Sequence, residues 1–133
     1  MVAQTELPFS FAENVSAEIS WAFQDSDAVA VQSPALATVT MTLYELSSNI
    51  IINSRDGQDI LGPDKGGIND VDITGGGVVT WYVQPDDNAI VTTGVIEQHI
   101  ALIEWTWDPE DGHGVREGRF EIPILVHNLN RVP

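Results

Sequence analysis

The residues that could do chemistry in this chain are mostly aspartates, and they crowd one stretch. Between Arg55 and Gly77 lie Asp56, Asp59, Asp64, Asp70 and Asp72, interleaved with Gly57, Gly62, Gly66, Gly67 and the Gly75–Gly77 run. Carboxylates at a spacing of two are how a calcium loop begins, because they bring oxygen ligands to one hard cation. Asp70-x-Asp72-x-Thr74-Gly75 matches that opening, but the twelfth position is Trp81, where a bidentate Glu is needed. The EF-hand reading fails there. A looser calcium site on these aspartates stays open beside the simpler reading of solvated loop carboxylates.

Other constellations are weaker still. His99, His113 and His127 lie on separate segments with none of the i, i+2 or i, i+4 spacing of a common metal motif. There is no cysteine, which removes disulfides, thiolate metal sites and thiol nucleophiles together. No Gly-x-Ser-x-Gly elbow is present, and the triple glycine precedes a strand, so it lacks the helix N-terminus that holds a phosphate. The chain is therefore expected to be no enzyme and to need no cofactor. Trp105 and Trp107 share one face of a strand with Ala101 and Ile103; core packing is expected for at least one of them. Turned outward with Tyr82, they would make an aromatic platform of the kind sugars or protein hot spots use.

The elements that must position these residues follow from four runs that alternate apolar and polar. They are Val15, Ala17, Ile19, Trp21, Phe23; Val39, Met41, Leu43; Val79, Trp81, Val83; and Phe120, Ile122, Ile124, Val126. A period of two gives each strand one apolar face, the pattern of antiparallel sheets packed face to face. Strands are predicted at 14–24, 28–32, 37–46, 50–54, 78–84, 96–108 and 115–129, with Pro85–Asn88 opening a single helical turn. Pro123 cannot donate to a ladder, so the last strand is expected to lie at an edge or to break there. Residues 14–133 form one β-sandwich domain with a long loop at 55–77, tethered by Ile60-Leu61 and Val71–Ile73. Residues 1–13 read as an extended arm, whose Leu7, Phe9 and Phe11 either fold back on the domain or dock on a neighbour.

Charge is the strongest departure from an average protein: 20 Asp and Glu against 5 Lys and Arg give −15. Such a surface repels phosphate backbones and anionic lipid, so neither nucleic acid nor membrane is expected as a partner. No basic, apolar leader is apparent at the N-terminus, and a soluble chain made in the cytoplasm is expected. Arg116, Arg119 and Arg131 gather near the C-terminus, which would suit head-to-tail contact between copies. Ile100 and Leu102 make the 96–108 strand apolar on both faces, which points toward burial by a neighbour. The expected partner-binding residues are Leu7, Phe9 and Phe11 on the arm, and Arg55, Asp56, Asp59, Ile60, Leu61, Asp70 and Asp72 on the loop.

From Ala37 to Leu129 the order of signals resembles the small immunoglobulin-like proteins and domains found in particles of tailed bacteriophages. The residues carrying it are Ala37–Tyr44, the Asn53-Ser54-Arg55-Asp56-Gly57 turn, Gly77–Val83 and Gly118–Val126. A similar arrangement occurs in the N-terminal domain of baseplate upper proteins. The resemblance implies an all-β, immunoglobulin-like antiparallel sandwich of seven or eight strands, and a non-enzymatic virion structural protein. It further implies many symmetric copies docked on other virion subunits of the capsid, neck or tail. The acidic surface favours the head exterior, as a decoration or cement subunit, or the neck. The competing class is a carbohydrate- or calcium-binding β-sandwich module.

Overall fold

A computed structural model of the chain describes residues 9–129. Its strands are β1 (Phe9–Ala12), β2 (Ala17–Ala22), β3 (Leu36–Glu45), β4 (Gln58–Asp59), β5 (Val71–Ile73), β6 (Val78–Val83), β7 (Ile96–Trp107) and β8 (Arg116–His127). They form a five-stranded sheet in the order β1-β8-β7-β3-β4 and a three-stranded sheet in the order β2-β6-β5. The fold is thus all-β in two sheets. Helical structure among the described residues includes 3-10 turns at Ser33–Ala35 and Pro85–Asn88, and no helix there is long and apolar enough to cross a membrane. Every strand pair is antiparallel except β1 with β8.

The alternation places one core between the sheets. Ile19, Val79, Trp81 and Val83 from the smaller sheet join Val39, Met41, Leu43, Ile103, Ile124 and Val126 from the larger in one buried cluster. Phe23, just past β2, meets Trp105 of β7 across the sheets at 4.7 Å between ring centroids. Gly118 makes room for that indole: a Cβ there would lie 2.6 Å from Trp105 Cε2. Aromatics crowd this end of the core, where Trp21 also meets Phe120 edge-on and Trp107 stacks on Trp105. We call this end lower, and the opposite end, at Glu45 and His99, upper.

Several expected boundaries shift for backbone reasons. Val15 is exposed rather than inward, because Asn14, at φ 55°, breaks the strand as the chain passes from one sheet to the other. The expected 28–32 strand reduces to one bridge, Gln24 with Ala30, and the 50–54 strand to Tyr44 with Ile51. Left-handed Ala28, Asn53 and Ser54 interrupt these two segments. β8 is not simply an edge: β1 pairs with it from Ile124 to His127, one residue beyond Pro123, which lies outside the doubly paired stretch. Phe9–Ala12 of the expected arm is thereby a strand of the larger sheet, while Leu7 lies outside the described residues.

The 55–77 stretch is a side wall rather than a projecting loop. Ile60 N–H donates to Val39 O, and Ile68 N–H donates to Ile60 O, closing the gap between β4 of one sheet and β5 of the other. Gly67, at φ +96°, lets the chain fold tightly there; a Cβ would lie 2.1 Å from Val71 O. Ile60, Leu61, Val71 and Ile73 are all buried.

Candidate functional site

Arg55, which the sequence places in an acidic loop open to partners, is 2% exposed. Its planar head has five N–H donors, and each meets an acceptor. Nε donates to Asp87 Oδ1 at 2.5 Å and Nη2 to Asp87 Oδ2 at 3.0 Å, a bidentate clamp. Nη2 also reaches Asp70 Oδ2 at 2.9 Å, while Nη1 donates to Gln58 Oε1 at 2.7 Å and to Asn69 O at 3.1 Å. Asp87, equally buried, accepts further from Asn53 Nδ2 and from Gln84 N–H. The Trp81 ring lies 5.8 Å from the guanidinium carbon. Burial opposes the charge on Arg55, but the hydrogen bonds and attraction of Asp87 and Asp70 outweigh it and raise its pKa further.

Two more carboxylates are consumed at the same upper end. Glu97 is buried, which raises a carboxyl pKa, yet His99 Nε2 at 2.8 Å, the Thr92 side chain and the N–H groups of Val91 and Thr92 hold it below its ordinary value. With its proton on Nε2, His99 leaves Nδ1 buried without a partner. Glu45 is buried too, and against that penalty the hydroxyl of Ser47 and the N–H groups of Ser47 and Ser48 lower its pKa to about 2. Glu45, Glu97 and His99 all sit at inward positions of β3 and β7, a parity that alternation alone could have revealed. Asp87 carried only a capping signal in sequence, and its pairing with Arg55 across 32 positions had none.

Arg55, Ile60 and Leu61 are therefore corrected as partner contacts: the first is spent on internal acceptors and the other two on the core. Asp56, Asp59, Asp70 and Asp72 are exposed, but Asp59 Oδ1 caps Leu61 and Gly62, Asp70 pairs with Arg55, and Asp72 raises the pKa of the Tyr82 hydroxyl. Among the described residues, no group of three or more His, Cys, Asp or Glu is placed to hold a metal ion. Trp105 is buried and Trp107 half-buried on it, whereas Tyr82 belongs to the other sheet, so the three make no platform. On the arm, Phe11 packs against the core and Phe9, 40% exposed, stacks on it.

Both sheets leave an outer face open to another molecule, the smaller one at Glu18, Ser20 and Tyr82, and on the larger one the register sorts the residues into rows. The lower rows are polar: Thr38 with Thr106 beside Glu117, then Asp59, Thr40, Glu104 and Arg119. All of these but Asp59 line a shallow groove. The upper rows are mostly apolar, with Gln98 and the hydrogen-bonded pair Ser10 and His127 among them. Ile51, Tyr44, Ile100 and Pro123 pair in sequence across four segments of chain. Above them Leu46, whose N–H donates to Gln98 O, joins Gln98 and Leu125.

No protein-family model matches this chain, and neither a curated protein nor a solved structure does.

Proposed function

We propose that the chain is a non-enzymatic structural module of a tailed-bacteriophage particle, built as an immunoglobulin-like β-sandwich and docked on neighbouring virion proteins. The observation that carries the reading is the strand order. The placing of β2, β6 and β5 in one sheet and β8, β7, β3 and β4 in the other supports a Greek-key order of the immunoglobulin kind. β2 and β7 then correspond to the strands that antibody domains join by a disulfide; here Phe23 and Trp105 meet between them instead. The four segments that carry the resemblance fall on β3, the Arg55 turn, β6 and β8.

The polar clusters support a scaffold role. Arg55, Asp87, Glu97 and His99 are buried, which supports a part in holding the frame together. The acidic exterior suits the outside of the head or the neck, with partners among capsid, neck or tail subunits arranged symmetrically. Density-gradient fractionation of lysates containing assembled particles tests this. The chain should band with the particles in a fixed integral ratio to the major subunit; recovery in the soluble fraction alone would refute it.

A further inference from the structure

We infer that the apolar upper half of the larger sheet's outer face docks a protein surface whose apolar ridge is flanked by lysine or arginine. The inference rests on reading the chain as a docking module, and it names the partner's chemistry.

The inner face of this sheet is already buried against the smaller one, so nothing in the domain's own core needs Ile51, Tyr44, Ile100, Leu102 or Leu125 to be apolar on the outside. Neighbouring side chains bury Ile100 to 4% exposure, but the rim of the patch stays open, with Leu46 at 45% and Ile96 at 51%. A contiguous apolar area on an otherwise charged monomer marks an interaction surface. Its rim says what comes there. The polar rows directly below carry Asp59, Glu104, Glu117 and Glu121 against one cation, Arg119, and the whole chain carries −15. A second copy would bring another −15 to the contact, whereas a basic rim would be drawn to it and would satisfy the carboxylates beside the apolar rows.

The test uses a peptide of about 14 residues alternating leucine and lysine as probe, with a leucine–glutamate peptide as counterpart, followed by fluorescence anisotropy. The lysine peptide should bind saturably. Leu46→Ser with Ile96→Ser should weaken it at least about fivefold at unchanged charge, and Glu104→Gln with Glu121→Gln at least about threefold at unchanged apolar area. Val29→Ser, at an exposed valine elsewhere, should leave it unchanged. Unchanged circular dichroism checks that the variants fold, as expected for such exposed side chains. Equal binding by the serine variant would overturn the proposal in favour of charge alone, and equal binding of the glutamate peptide would overturn the basic rim. A dimer in sedimentation that the same serines abolish would make the occupant a second copy and overturn it as well. Failure here while the chain still bands with particles removes this inference alone; failure to band removes the reading beneath it.

Discussion

Replacing Arg55 by methionine keeps much of the side chain's length and removes all five of its donors. Asp87, fully buried, then keeps only the donors from Asn53 and Gln84 and faces no opposite charge. Breaking a buried pair from one side costs about 3–5 kcal/mol, because the partner's charge stays dehydrated. Against a total stability of about 5–15 kcal/mol for a domain, that is a large fraction, and it would lower Tm by about 10–20 °C. Removing the acid instead, Asp87→Asn, should cost a similar amount. The two losses should not add: a double-mutant cycle should return a coupling of at least about 2 kcal/mol. The second carboxylate on the same guanidinium is an internal control. Asp70 is 43% exposed, so Asp70→Asn should cost no more than about 1 kcal/mol. Urea unfolding followed by tryptophan fluorescence measures the wild type and the four variants. An Arg55→Met loss below about 1 kcal/mol, or equal losses at Asp70 and Asp87, would refute the view that this arginine pins the side wall to the sheets.

Glu45 sets an acid limit: its folded pKa lies below its unfolded one, so its contribution is present above about pH 4.5 and lost as pH falls toward about 2. It amounts to at most about 3 kcal/mol, and a Glu45→Gln protein should show a visibly flatter stability profile across that window in acid titration. Gly118→Ala drives a methyl into the Trp105 ring and should cost about 1–3 kcal/mol, with a changed near-ultraviolet dichroism spectrum. Deleting Met1–Ala12 removes β1 and the Phe11 contact along with the rest of the arm, so thermal unfolding should register a loss of about 1–3 kcal/mol.

Alternation along the sequence determined the strands and the inward faces, because each side chain's direction is set by the dipeptide repeat of its own backbone. β3, β6, β7 and β8 were legible for that reason, as were the tethering roles of Ile60 and Leu61. The same parity contained, unread, the inward placing of Glu45, Glu97 and His99. Short segments were less legible: where Asn14, Ala28, Asn53 and Ser54 take left-handed conformations, side-chain pattern says nothing about the backbone break. Tertiary structure alone decided the role of Arg55. In sequence it is one cation among loop aspartates, indistinguishable from a surface contact. Only folding brings Asp87, 32 residues away, within 2.5 Å, and only burial turns that approach into an interaction large enough to matter. The apolar outer face divides in the same way. Ile100 and Leu102 announced a strand apolar on both sides, but the row from Ile51 to Pro123 exists because pairing between distant strands set the register.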